Sequence, residues 1–225
     1  MNKTLQKAYH TISHLLAGKK LHLIKSLSFL NRPRRINLER LDYIRISCLE
    51  LIAEEIYQKK LPGNVAELGV YQGDFAKDIN QVFPDRKLYL FDTFEGFDIR
   101  DVSGDISRGF SAGDQDFSKT SVNLVLSKMP IPKNCIIKQG YFPQSAVGVE
   151  DTFCFVSIDA DLYEPILAGL HFFYPRLCRG GYIFVHDFNN SAYPGAAEAI
   201  KEFCRQYQCS YVPVADNGGT AIIAK

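Results

Sequence analysis

The sequence predicts a doubly wound α/β fold, a seven-stranded and mostly parallel sheet behind an N-terminal helical extension. Three observations point there. From Val65 onward, short apolar runs alternate with helical segments, the rhythm of strands joined by helical crossovers. Several runs are apolar almost throughout, as expected of strands covered on both faces. The last two runs are joined by DNGG (216–219), a tight turn that sets the final strand antiparallel to its neighbour.

The strands are expected at 64–68, 87–92, 135–139, 153–159, 181–186, 210–214 and 220–224, with helices at 73–83, 119–129, 164–177 and 195–207. Upstream, a helix over 38–59 carries Leu41, Ile44, Cys48, Leu51, Ile52 and Ile56 on one face, and LPGN (61–64) ends it. Residues 5–16 place Leu5, Tyr9, Ile12 and Leu16 at helical spacing, and NRPRR (31–35) reads as a linker. The chain therefore divides into a basic helical arm and linker, 1–37, and a catalytic-type domain, 38–225. Residues 98–118, rich in Asp, Gly and Ser, read as a mobile loop of the kind that covers an active site.

At 225 residues, with 46% apolar and 23% charged content, the chain can bury a sizeable core. It holds no apolar run near the length of a membrane span and no secretory signal, because Lys19, Lys20, His22 and Lys25 interrupt the N-terminal apolar stretch. The six cysteines form no C-x-x-C pair, so reduced thiols and a cytoplasmic location are expected. The net charge of +1 hides an asymmetry: residues 1–40 carry nine Lys or Arg and one acid, leaving the remainder acidic. The arm is a candidate for contact with the body, an anionic partner or a sister subunit in a homo-oligomer. The acidic body argues against nucleic acid as substrate.

In open α/β sheets, ligands bind beyond the carboxyl ends of the strands. The first strand runs into ELGVYQGD (67–74), where glycines permit a tight turn at a helix start. The second strand ends in Asp92, 19 residues after Gly73, positioned to accept both hydroxyls of a ribose. The spacing departs from the G-x-G-x-x-G dinucleotide fingerprint, which disfavours a nicotinamide oxidoreductase. An acidic turn with Glu67 at its entrance suits a cationic or zwitterionic ligand. S-adenosylmethionine, with its ribose, amino acid tail and sulfonium, fits that description.

Five blocks in unbroken order then carry a family resemblance: VAELGVYQGDFA (65–76), KLYLFDTFEGF (87–97), QGYFP (139–143), FVSIDADLYEP (155–165) and FFYPRLCRGGYIFVHDF (172–188). Together they resemble the macrocin O-methyltransferase family. The resemblance implies a Rossmann-like class I methyltransferase fold, S-adenosylmethionine as donor and a divalent cation, usually Mg²⁺. It also implies a sugar or glycosylated small molecule as acceptor. Carried over by position, Glu67, Gly69 and Gly73 form the turn around the donor's amino acid tail, with Tyr71 inside that turn. Asp92 takes the ribose. Thr93, Phe94, Gly140 and Tyr141 line the adenine side.

Asp159 and Asp161, two acids one residue apart after the fourth apolar run, would repel if both were charged on one face. The resemblance gives Asp159 to the cation, and to the donor site as well, together with a pair after the fifth strand. In this chain that pair is His186-Asp187 where two aspartates are expected. Imidazole suits Mn²⁺, Fe²⁺ or Zn²⁺ better than Mg²⁺. Asp159, His186 and Asp187 are therefore the candidate ligands, with Asn189 or Asn190 as further oxygen donors. The alternative is a metal-independent enzyme with His186 as general base. Asp161 is expected to cap the helix opening at Tyr163-Glu164-Pro165. From a different class, a non-catalytic binding or scaffold protein on the same fold also stays open.

Overall fold

In the computed structural model, residues 11–16, 18–19, 36 and 42–225 are described. The chain forms two compact units, Met1–Arg34 and Arg35–Lys225. In the first, residues 11–16 are helical, with Ile12 and Leu15 exposed. The rest of the expected 5–16 helix, the 31–35 linker and the start of the expected 38–59 helix lie outside the described residues.

The second unit opens with α1 (Tyr43–Gln58). Strand β1 (Asn64–Leu68) leads to α2 (Asp74–Val82), and β2 (Leu88–Asp92) to α3 (Ile99–Arg108) and α4 (Val122–Lys128). Then come β3 (Cys135–Gln139), β4 (Phe153–Ile158), α5 (Tyr163–Arg176), β5 (Leu177–Val185), α6 (Pro194–Tyr207), β6 (Tyr211–Val214) and β7 (Thr220–Ala224). The sheet order is β3-β2-β1-β4-β5-β7-β6, parallel from β3 to β5, with β7 antiparallel to both β5 and β6. The order reverses between β1 and β4, where the strand ends splay and leave a crevice.

Side-chain alternation assigns the two faces. On β2, Leu88 and Leu90 join the core beneath α1, α2 and α4, with Ile46, Leu49, Ile56, Phe75, Ile79 and Val125. Tyr89 and Phe91 point the other way, into the core beneath α5 and α6, with Ile166, Leu170, Phe173, Ile200 and Phe203. On the first face, two polar side chains end this apolar pattern near the carboxyl ends. Glu67 of β1 and Ser157 of β4 are register partners, and both are buried.

Two expectations fail. Residues 98–118 are not a structureless loop: they contain α3, capped by Asp98, whose side chain accepts from Arg100 N, and closed by Gly109 at φ +70°. Its buried residues are Asp101 and Asp105, while Ile99 and Ile106 are exposed. The helix therefore shows no apolar stripe. The fifth strand begins at Leu177 rather than 181, because the chain passes from α5 directly into β5.

No helix among the described residues is long and apolar enough to cross a membrane. All six cysteines are unbridged.

Candidate active site

The crevice at the switch point is a cavity of about 360 Å³, a volume suited to a small-molecule ligand. It is lined from the ends of β1, β2, β3, β4 and β5, and from α1 and α3. Nine of the described lining residues are acidic, and Arg45 is the only Lys or Arg among them.

The β1–α2 turn is shaped by close packing within the protein. Gly69, at φ +81°, has no room for a side chain, since a Cβ there would sit 2.1 Å from the Asp159 carbonyl oxygen. Gly73, at φ +77°, backs onto Val125 of α4 and does not line the cavity. Asp92 holds this turn in place. Its Oδ2 accepts from Val70 N at 2.6 Å and Tyr71 N at 2.9 Å, and its Oδ1 accepts from Phe94 N at 2.6 Å. A carboxylate offers roughly four acceptor positions, so Asp92 as it stands has room for about one more donor rather than two.

Of the predicted donor-site residues, Glu67, Gly69, Tyr71, Asp92, Thr93, Gly140, Tyr141 and Asp159 line the cavity. Phe94 does not: its ring is buried in the core under α1 and α2 with Val70 and Phe75. The aromatic wall comes instead from Phe97 and Phe117, with the Phe117 ring edge-on to Tyr71 at 5.1 Å and to Phe97 at 4.9 Å between centroids. Arg100 stacks over the Tyr141 ring at 3.5 Å. The Tyr141 hydroxyl donates to Asp101 Oδ1, and burial pushes the Asp101 carboxyl up to about 6.

Asp159, His186 and Asp187 come together as predicted, with donor atoms within 4.8 Å of one another. His186 Nδ1 lies 3.1 Å from Asp159 Oδ1 and 3.2 Å from Asp187 Oδ2, between the two and aligned for a hydrogen bond with neither. Its other nitrogen, Nε2, is 2.7 Å from the Asn217 carbonyl oxygen. The DNGG turn is thus more than a hairpin connection, since it sets the plane of the imidazole. Burial lowers the His186 pKa, yet the facing Asp159 charge outweighs it and the value rises to about 10. Asn190 Nδ2 donates to Asp187 Oδ1 at 2.8 Å and so supports a candidate ligand, while the Asn189 side chain packs against Gly219.

The second cation of the site is Arg45, on α1. Its Nη1 donates to Asp159 Oδ2 at 3.0 Å and its Nη2 to Ser157 Oγ at 3.3 Å, with the guanidinium 3.8 Å over the Phe75 ring. Burial raises the pKa of Asp159, but Arg45 and then His186 prevail and hold it below the usual carboxylate range. The apolar face expected for this helix is not the one it buries. Ile44 is exposed and Cys48, Leu51 and Ile52 are half-buried, while the buried residues are Arg45, Ile46, Ser47, Leu49, Glu50, Ala53 and Ile56. Arg45 therefore fell on the side expected to face solvent. The available signal was a lone arginine, Tyr-Ile-Arg-Ile-Ser (43–47), inside an otherwise apolar turn.

Asp161 is not the helix cap. The N-cap position of α5 is Leu162, which makes no side-chain capping bond, and Asp105 of α3 reaches across to accept from Tyr163 N at 3.1 Å. Asp161, at φ +59°, instead turns into the cavity. Burial first, then the charges of Asp159 and Asp187, push its carboxyl well above the usual range. The two acids coexist because Asp159 is paired with Arg45 and faces His186, while the raised pKa of Asp161 makes its charge easier to give up.

The sheet order and the ligand crevice define a class I methyltransferase fold. Residues 35–219 match the model of the macrocin-O-methyltransferase (TylF) family, so the chain belongs to that family and is an O-methyltransferase. Demethyldecarbamoylnovobiocin O-methyltransferase of Streptomyces niveus is 28% identical over 195 residues, covering 77% of this chain and 68% of the relative. An 8-demethyl-8-(2,3-dimethoxy-alpha-L-rhamnosyl)-tetracenomycin-C 4'-O-methyltransferase of Streptomyces olivaceus is 23% identical over 206 residues, covering 83% and 73%. Among solved structures, the O-methyltransferase NovP superposes with a TM-score of 0.64 at 19% identity, over 80% of this chain and 79% of that one.

Proposed function

We propose that this O-methyltransferase takes its methyl group from S-adenosylmethionine and transfers it to a hydroxyl of a sugar or glycosylated small molecule, with a divalent cation at Asp159, His186 and Asp187. The observation that carries the reading is the acidic cavity at the switch point, lined by Glu67, Asp92 and Asp159 at the ends of three neighbouring strands. A sulfonium donor is cationic, and an acidic cavity favours it. The sugar acceptor is supported by family membership and by the rhamnosyl substrate in the name of the Streptomyces olivaceus relative.

The residues present fit a cation. Asp159 and Asp187 offer oxygens, and His186 Nδ1 is buried between them without an aligned partner. Because Nε2 faces the Asn217 carbonyl, the neutral imidazole keeps its proton on Nε2 and turns the Nδ1 lone pair toward the two carboxylates. A nitrogen in the set supports Mn²⁺ or another softer metal over Mg²⁺. Once bound, such a cation lowers the pKa of a coordinated hydroxyl.

In the transfer, the acceptor oxygen attacks the sulfonium methyl carbon as the carbon–sulfur bond breaks, and the hydroxyl proton must leave. His186 is poorly placed to receive it, with Nδ1 among carboxylates and Nε2 against a carbonyl. Asp161 is the better acceptor: it lines the cavity, and its raised pKa moves it toward the range of a general base. Asp159, held by Arg45, fixes the floor of the site.

Isothermal titration with S-adenosylmethionine tests the donor assignment. Binding is expected, with weakening of about tenfold or more in Asp92→Asn, which keeps one oxygen for the turn but loses the charge. Absence of binding to the folded wild-type protein contradicts the reading.

A further inference from the structure

Outside the cavity, α6 ends in a pair of thiols that the transfer chemistry does not use. The helix runs from Pro194 to Tyr207, and Gln208 stops it at φ +51°. Gln208 N and Cys209 N both donate to the Cys204 carbonyl, the latter at 3.2 Å. Such a left-handed stop folds the chain back, so that the side chains of residues 204 and 209 meet across it. That contact is commonly apolar; here it is made by two sulfurs. Cys209 Sγ donates to Cys204 Sγ at 3.7 Å, and neither residue lines the cavity.

The two sulfurs differ in access. Cys209 is half-buried in the turn before β6, whereas Cys204 is 8% exposed and belongs to the core beneath α5 and α6. Burial pushes the Cys204 thiol up, so Cys209 is the sulfur that meets a reagent first. A disulfide bond of about 2.05 Å requires the sulfurs to close from 3.7 Å. Side-chain rotation supplies that approach, because the two backbones are already hydrogen-bonded. The next candidate pair is less well placed. Cys154 and Cys178 stand on neighbouring strands β4 and β5, but the Cys154 thiol is fully buried and turned to the carbonyls of Gly63 and Asn64, at 3.6 and 3.4 Å.

We propose that Cys204 and Cys209 are an oxidative modification site, closing to a reversible intramolecular disulfide with a small-molecule disulfide such as glutathione disulfide as the oxidant. In the first step the Cys209 thiolate attacks one sulfur of the oxidant and the oxidant's own S–S bond breaks. The departing thiolate takes up the proton that Cys209 released. In the second step the Cys204 thiolate attacks the Cys209 sulfur of the mixed disulfide, and a second small thiolate leaves and takes up the Cys204 proton. The two cysteines are oxidised by two electrons together, and the oxidant is reduced to two thiols. The link pins the end of α6 to the chain entering β6. Tyr211 of β6 rests on Phe188 at 5.0 Å between ring centroids, and Phe188 directly follows Asp187.

The test uses the folded full chain, freed of reductant and incubated with glutathione disulfide. Samples are quenched in acid over time, alkylated and mapped by peptide mass spectrometry. The link between Cys204 and Cys209 is expected to form at least about tenfold faster than any other intramolecular link, because these thiols are already in contact. Dithiothreitol should reverse it. Cys204→Ser should instead hold glutathione on Cys209 as a mixed disulfide, since the resolving thiol is gone. A wild-type chain in which both cysteines stay reduced, or in which Cys209 remains glutathionylated without closing, overturns the proposal. So does closure of another pair, such as Cys154 with Cys178, at an equal or greater rate. These outcomes are read from the wild type alone and stand even if the serine variant fails to fold. A folded Cys204→Ser chain that takes up no glutathione at Cys209 overturns the proposal too.

Discussion

Arg45 Nη1 lies 3.0 Å from Asp159 Oδ2, although 114 residues separate the two in the chain. Through this pair α1, which precedes the first strand, reaches the carboxylate at the end of β4. The guanidinium is nearly buried and Asp159 is partly so, so each charge depends on the other for compensation.

Removing one partner should therefore cost more than the pair is worth. Arg45→Met is expected to lower unfolding stability by about 3 kcal/mol, the range seen when a buried charge loses its partner. Adding Asp159→Asn in the same chain should restore part of that loss. Urea unfolding of the two single variants and the double variant measures the coupling. Strict additivity would show that the two side chains do not interact.

His186 gives the site a pH signature when no metal is present. Its pKa stands at 6.5 in the reference state and about 10 in the fold. A raised histidine contributes stability that is fully present below the unfolded value and lost as pH rises through the folded one. In excess chelator, the stability gap between wild type and His186→Asn should be largest near pH 6.5 and below, down to where the carboxylates protonate. It should shrink steadily toward pH about 10. A gap that is constant with pH contradicts the ion pairing.

The same imidazole should set the metal preference. Titration calorimetry is expected to show Mn²⁺ binding more tightly than Mg²⁺, and His186→Asp should narrow that difference. Chelation should abolish methyl transfer, and re-addition of Mn²⁺ should restore it. Full activity in chelator would return the chemistry to the protein alone.

Gly218 tests the contact that orients His186. Its φ is +83°, and a Cβ there would lie 2.9 Å from His186 Cε1. Gly218→Ala should cost about 1–2 kcal/mol from the left-handed backbone alone and should weaken metal binding by moving the ring. Unchanged metal affinity would mean that the hairpin does not position the imidazole.

Much of this was legible in the sequence. Strands 64–68, 135–139 and 220–224 were placed to the residue, because short apolar runs between turn residues mark strands, even for the half-buried edge strand 135–139. Asp159 and His186 follow directly on strand ends and Asp187 comes one residue later, which is why the three lie near one another. Helix α3 was missed because its inward face is Asp101 and Asp105, so no apolar period marks it. Arg45 was missed because a buried charge in a helix looks like a surface residue until its partner is known. Asp161 is not the cap because the group that accepts from Tyr163 N, Asp105, lies 58 residues before Tyr163 in the chain. Local chemistry was readable, whereas pairings across the cavity needed the fold.

The most direct test of the central claim is to incubate the protein with Mn²⁺, S-adenosylmethionine labelled in its methyl group and a panel of glycosides, and to follow the label by mass spectrometry. The account predicts transfer to a sugar hydroxyl, severely reduced in Asp159→Asn. Transfer that is as fast in Asp159→Asn as in the wild type, or a label that reaches no glycoside although the donor binds, would contradict it.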